Sequence, residues 1–228
     1  MNVTGVVTAL EFEARSLCNT GDGALIRVAG IGAEHAARGA RALVAAGARA
    51  LLSWGVAGGL DPALSCGTAV LPAEVLHQKQ RFASHRQWRE RLLGALDGHV
   101  RCVTGALLTS DVAVASTAQK AGLFHATGAV AVDMESAAVA AVAADHGLPF
   151  LALRVILDGA HDSLPASVTR AFDPATRARP QLWPLLGTPS DWGRLLGLAL
   201  RYRVARRALS ACRRHADPTR APDERAEP

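Results

Sequence analysis

Short apolar runs alternate along the chain with stretches whose apolar positions recur every three or four residues. The runs VTGVVTA (3–9), ALIRVAGIG (24–32), ARALLSWG (48–55), GTAVLP (67–72), VRCVTGALLT (100–109), AVAVD (129–133) and FLALRVIL (150–157) read as buried strands. Between them EFEARSL (11–17), AEHAARGARALVAAG (33–47), ASHRQWRERLLGAL (83–96), STAQKAGLF (116–124) and ESAAVAAVAADHG (135–147) read as helices. This alternation predicts an α/β fold, a single domain whose central, mostly parallel twisted sheet is flanked by helices on both faces.

The rhythm stops at Asp158. Residues 158–190 carry Pro165, Pro174, Pro180, Pro184 and Pro189 around an apolar LWPLL at 182–186, too many prolines for a helix or a central strand. A lid, a binding loop or a linker fits such a segment. The domain is therefore expected to run over 1–190, followed by a helix at 191–214 and a frayed tail at 215–228.

Composition refines this picture at two points. The chain has 228 residues, enough for one substantial core, and its apolar half is mostly small aliphatic residues with 4% aromatics, which suits closely packed helices. The net charge of +5 is unevenly placed: no acid occurs from Trp192 to Ala216, where Arg194, Arg201, Arg203, Arg206, Arg207, Arg213 and Arg214 crowd together. Lys79 and Lys120 are the only lysines. Cys18, Cys66, Cys102 and Cys212 are scattered, without a CxxC pair or zinc-type histidine spacing, so neither a disulfide framework nor a metal site is expected, and a reducing cytosol fits. The N-terminus lacks the basic region of a signal peptide and no run is long enough to span a membrane.

In a sheet of this kind ligands bind beyond the carboxyl ends of the strands. Those ends carry Glu11 and Glu13, the GIG of 30–32 with Gly32, SWGVAGG at 53–59 with Gly55, Val56, Ala57 and Gly58, the TSD of Thr109, Ser110 and Asp111, the DMES of Asp133, Met134, Glu135 and Ser136, and DGAHD at 158–162. Each has an ordinary reading. Glu11 and Glu13 suit a helix's first turn, and Asp133 suits a cap for a helix starting near Met134. Asp158 before Gly159 suits a turn, and SWGVAGG suits either a tight turn or a loop that a ligand approaches closely. Each also has a chemical reading. Glu135 can accept paired hydrogen bonds from vicinal hydroxyls such as those of ribose, beside the soft face of Met134. A carboxyl at the lip of an apolar strand, as at Asp158, has its neutral form favoured, as a general acid requires. No P-loop, GxGxxG after a strand, or GxSxG occurs.

Four stretches taken together, TALEFE (8–13), AGIGAEHAA (29–37), GVAGGLDPALSCGTAVLPAEV (55–75) and VDMESAAVAAVAADHGLPFLALRVILD (132–158), resemble the purine nucleoside phosphorylase and nucleosidase superfamily, in particular the methylthioadenosine/adenosylhomocysteine nucleosidases. Within it the Pro-rich segment and the ending DWGRLLGLALRYRVARRALSACRR are similar to the hopanoid-associated nucleoside phosphorylases, which implies release of adenine from adenosylhopane. The resemblance implies that Asp158 protonates N7 of the leaving purine, that Glu13 orients or deprotonates the attacking water, and that Met134 and Glu135 hold the ribose. It places Thr109, Ser110, Asp111 and Val112 to Val114 in the base pocket, with Gly32 and residues 55–58 as further pocket positions, and gives Arg154 a structural or electrostatic role.

Departures from the family pattern bear on the acceptor. Ser53 and Val56 stand where phosphorylases carry an Arg and a Ser or Thr around the glycine at 55, and TALEFEARSL replaces their N-terminal GDPxR, so a phosphate dianion lacks its partners. Hydrolysis is therefore expected, with phosphorolysis, methylthioadenosine/adenosylhomocysteine cleavage or mere nucleoside binding as alternatives. Leu157 replaces the Ser usual before the aspartate. No cofactor is implied. The expected partner is a small nucleoside carrying a lipid tail. Peripheral membrane contact through 191–214 competes with an ordinary packed helix, a homodimer is the default, and nucleic-acid binding is disfavoured because the arginines lack interleaved aromatics.

Overall fold

The structure is a computed structural model describing residues 3–17, 24–164 and 192–221. Its axis is a ten-residue strand, β3 (Ala50–Gly59). The first half of β3 pairs in parallel with β1 (Thr4–Thr8), which pairs in parallel with β2 (Ala24–Val28). The chain returns between these strands through α1 (Glu11–Ser16) and α2 (Ala33–Ala45). On its other side β3 pairs along its length with β10 (Phe150–Asp158), also in parallel.

The remaining strands are short: β4 (Ala69–Val70), β5 (Glu74–His77), β6 (Gln80–Ala83), β7 (Cys102–Val103), β8 (Ala106–Thr109) and β9 (Ala131–Asp133). They extend the sheet in the order β6-β5-β8-β9-β3-β10-β4-β7. Six of the nine described pairings are parallel; β5–β6, β3–β9 and β10–β4 are antiparallel, so the sheet is mixed but mostly parallel. Helices α3 (Arg86–Leu96), α4 (Thr117–Thr127), α5 (Ser136–Asp145) and α6 (Trp192–His215) are the other helices among the described residues.

β10 states the layering by its period of two. Phe150, Ala152 and Ile156 join a core cluster with α2 and α5, while Leu151, Leu153 and Val155 join one with α3 and α6. Arg154 and Asp158 share the parity of the α5 side, and a bulge interrupts the register between Ile156 and Asp158. The alanines of α5 are buried nearly all round, which lets that helix lie close between α2 and the sheet.

Three expectations are corrected. SWGVAGG is neither turn nor loop: β3 continues to Gly59, where Gly58 and Gly59 turn from β1 to pair with Val132 and Ala131. The hairpin β5–β6 has no counterpart among the predicted strands, because β6 is an exposed polar edge and its turn uses Gln78 at φ 52° instead of a glycine or asparagine. The tail is docked over its described part, since Thr4 Oγ1 donates to the carbonyl of Thr219, and Ala216 and Thr219 are buried. The LWPLL segment lies outside the described residues, as do residues 222–228.

Candidate active site

Glu13 is only 1% exposed, whereas Glu11 faces solvent. Its Oε2 accepts the backbone N–H groups of Ala9 and Leu10, each at 2.9 Å, and Oε1 accepts that of Val56 at 3.0 Å. The first two bonds reach back to the open end of α1, as a capping glutamate does. The third crosses to β3. An ionised carboxylate has about four acceptor positions, so three backbone donors leave one for a further ligand such as water. Burial raises the Glu13 pKa; Arg154 and the three N–H groups pull the other way. The helix start is thus more enclosed than the sequence implied, and what favours the ionised form against burial is the charge of Arg154 and then the three N–H groups, not exposure.

Gly55 makes this approach possible. A Cβ there would fall 2.4 Å from Glu13 Oε1 and 2.5 Å from Arg154 Nη1. No other residue leaves room for both.

Arg154 is the hub of a buried polar cluster. Nε donates to Asp133 Oδ2 at 2.8 Å, and Nη2 donates to Ser53 Oγ at 2.7 Å and Ser136 Oγ at 3.1 Å, with Glu135 Oε2 at 3.9 Å. Asp133 also accepts Thr109 Oγ1 at 2.7 Å and the N–H of Ser136 at 3.2 Å. α5 begins at Ser136, not near Met134, and Asp133 both caps that first N–H and neutralises Arg154. Glu135 turns away from the helix and accepts the N–H of Gly32 at 2.9 Å. Gly32 holds φ at 96°, a left-handed conformation that glycine tolerates and that aims this N–H across the sheet edge.

Burial and the neighbouring Asp133 push the Glu135 carboxyl up to about 7, against the opposing pull of Arg154 and the Gly32 N–H. A carboxyl raised in the folded state contributes stability below its unfolded value, and that stability is lost as pH rises to the folded value. Ionised Glu135 therefore costs stability above about pH 7. Glu135→Gln is expected to raise Tm at pH 8 and to change it little at pH 5, as differential scanning calorimetry at the two values would register.

Asp158 ends β10, 3% exposed, and its Oδ2 meets the ammonium of Lys120 from α4. Burial raises its pKa, Lys120 lowers it, and Asp162 raises it further. Lys120 is the functional-looking residue that the sequence reading missed; its signal was a lone lysine on a short apolar helix in an arginine-rich chain.

Glu13, Met134, Glu135 and Asp158 line one cavity of about 380 Å³, with Val56, Ala57, Gly58, Asp133 and Val112 to Val114. That volume suits a small organic ligand. Leu10, Phe12, Ile31, Leu157, Leu164, Leu198 and Tyr202 supply an apolar wall, the last two from α6, where Tyr202 meets Phe12 edge to face at 4.6 Å between ring centres. Other expected residues stand outside the lining. Thr109 is buried beneath it, bonding Asp133 and the N–H of Ala137. Ser110 bonds Val112 locally, and Asp111 faces solvent, with His77 at 3.0 Å. Gly32, Gly55 and Arg154 act from behind the lining on Glu135 and Glu13. No lysine or arginine lines the cavity among the described residues. A second hollow of about 460 Å³ opens at the opposite end of β10, beside Phe150, but no carboxylate lines it.

A family model described as the phosphorylase superfamily matches residues 6–181, which contain every side chain of this acidic cluster. The chain belongs to the phosphorylase superfamily. No curated protein sequence matches significantly. Solved structures share the superfamily fold. A Helicobacter pylori 5′-methylthioadenosine/S-adenosylhomocysteine nucleosidase mutant with 5′-methylthioadenosine in its active site is 16% identical, with TM-score 0.70, over 95% of this chain and 100% of that one. The Neisseria meningitidis nucleosidase in complex with methylthio-immucillin-A is 19% identical, with TM-score 0.70, over 93% and 96%. The native futalosine hydrolase of Helicobacter pylori is 16% identical, with TM-score 0.68, over 94% and 98%. Among the described residues no group of side chains is arranged to hold a metal ion.

Proposed function

We propose that this member of the phosphorylase superfamily hydrolyses the N-glycosidic bond of an adenosine-type nucleoside and releases adenine. The observation that carries this reading is the single cavity lined by two separately held carboxyls, Asp158 and Glu13, together with Glu135 and Met134. Adenine leaves poorly as an anion. Protonation of N7 by Asp158 lets the C1′–N9 bond stretch toward a ribosyl cation, as in glycoside hydrolysis with an acid and a base on separate carboxyls. Glu13 uses its one remaining acceptor position to hold water, which adds to C1′ while its proton passes to the carboxylate. Glu135 accepts the ribose hydroxyls. Water is favoured over phosphate because the described lining offers a dianion no cationic partner. The structural neighbours named as nucleosidases and as a futalosine hydrolase agree with glycosidic hydrolysis.

The finer reading is adenosylhopane as substrate, converted to ribosylhopane in hopanoid biosynthesis. Its support is the apolar wall of the cavity and the helix that builds part of it. α6 contributes Leu198 and Tyr202 to the wall, then turns Leu200 and Val204 outward, 53% and 44% exposed, beside exposed Arg203, Arg206 and Arg207. Such a face suits an anionic membrane surface, from which a lipid nucleoside would enter the cavity. No described helix is long and apolar enough to cross a membrane, so contact at the inner face is the form of association this reading requires.

The test is chromatography of free adenine after incubation with adenosylhopane, 5′-methylthioadenosine, adenosylhomocysteine and adenosine. Adenine from all adenosine forms, with the highest kcat/KM for the lipid form, is the expected result. Equal or better turnover of methylthioadenosine removes the lipid assignment, and no adenine from any substrate leaves a binding protein on this fold.

A further inference from the structure

Lys120 has no part in the mechanism above, yet it is entirely buried, 0% exposed, and touches the group proposed to donate the proton. Its ammonium makes three hydrogen bonds: to Asp158 Oδ2, to the carbonyl of Gly159 at 2.7 Å and to the carbonyl of Asp162 at 2.9 Å. An ammonium so withdrawn from water is rare and costly, even when paired. The Asp162 carboxylate does not compete for it, being bound by Arg201 of α6 at 2.5 Å and by the N–H of Gly159 at 2.9 Å. Among the described residues, Asp162, Arg201 and the Cys66 thiol are the other ionisable groups that interact at this corner.

The pairing creates a contradiction that the simple mechanism leaves open. A general acid must carry a proton; burial favours the neutral carboxyl of Asp158, but the ammonium held on it favours the carboxylate, whose charge would repel the N7 lone pair. The contradiction disappears if the proton resides on the partner. We infer that Lys120 supplies, through Asp158, the proton that the leaving purine receives.

The inference rests on the proposed acid role of Asp158. A proton passes from Lys120 Nζ to the Asp158 carboxyl and from that carboxyl to N7, while the electron pair of the C1′–N9 bond goes to the purine, which leaves neutral. Asp158 ends as it began and Lys120 becomes an amine. Water adds to the ribosyl cation and gives one proton to Glu13. Glu13 then releases that proton to solvent and Lys120 regains one from solvent, so the net reaction consumes water alone. Lys120 is thus a positioning residue in contact with the acid, not a group that meets substrate.

The decisive experiment compares wild type, Lys120→Met, Lys120→Arg and Asp158→Asn on 5′-methylthioadenosine and on 4-nitrophenyl β-D-ribofuranoside, whose leaving group departs without protonation. Full pH profiles of kcat and KM are recorded on the purine substrate. Lys120→Met is expected to lower the ratio of purine to nitrophenyl cleavage by about 10²-fold, acting on kcat rather than KM, and to move the alkaline limb to lower pH. Lys120→Arg, which keeps a cation but holds its proton, does not restore the ratio. A wild-type ratio and an unmoved alkaline limb in Lys120→Met overturn the inference, as does rescue by Arg. Equal loss on both substrates makes Lys120 merely structural and overturns it too. A wild-type ratio in Asp158→Asn instead removes the acid role of Asp158 itself, so the two failures are distinguishable.

Discussion

Asp158→Asn is expected to lower adenine release by about 10² to 10⁴-fold, the usual worth of a positioned general acid. An amide cannot pass a proton to N7, while the shape of the cavity lip is preserved. The structure adds a consequence for stability. Asparagine leaves the fully buried Lys120 facing an uncharged neighbour, and removal of one member of a buried pair costs about 3–5 kcal/mol. The urea midpoint should therefore fall together with activity. Lys120→Met combined with Asp158→Asn should regain the stability without regaining turnover, so denaturation and adenine assays on the single and double variants separate chemistry from folding. Near wild-type turnover in Asp158→Asn would remove this residue from the mechanism.

The second large effect belongs to Arg154. Its guanidinium binds Asp133, Ser53 and Ser136, lies 3.9 Å from Glu135, and is the cation that offsets the burial of Glu13. Arg154→Met strips three buried carboxyls of their common counter-ion. A loss of about 3–5 kcal/mol is expected, a large part of a domain's typical stability of about 5–15 kcal/mol. The sign of its pH dependence follows from the same groups. Without Arg154 Glu13 and Glu135 titrate higher, the folded state binds more protons than the unfolded one, and stability falls further as pH rises. Urea unfolding at pH 5 and pH 8 should show the larger deficit at pH 8. An equal deficit at both would mean that packing, not charge, is what Arg154 provides.

Much of this was legible in the chain because local pattern and global position agree. β10 is apolar on both faces, and the position of Asp158 at its end follows from the parallel sheet rule alone. Glu135 follows a short strand in the same way. Arg154 is different: its parity on β10 is readable, but its service to Glu13, Asp133 and Glu135 joins residues far apart in sequence, which no local period encodes. Lys120 was hidden for the same reason, reaching Asp158 across 38 positions from a helix that shows no strong face. SWGVAGG misled because glycines favour turns in isolation, whereas here pairing on both sides holds them extended. Ser110 and Asp111 were placed in the base pocket by the family resemblance, but the chain turns Asp111 outward to His77 after β8.

The central claim is that water, not phosphate, captures the ribosyl centre once adenine is protonated. The most direct measurement is mass spectrometry of the sugar formed from 5′-methylthioadenosine in ¹⁸O-labelled water containing inorganic phosphate. Hydrolysis predicts free 5-methylthioribose carrying the label at C1, at a rate independent of phosphate. A sugar 1-phosphate whose formation rises with phosphate would contradict it.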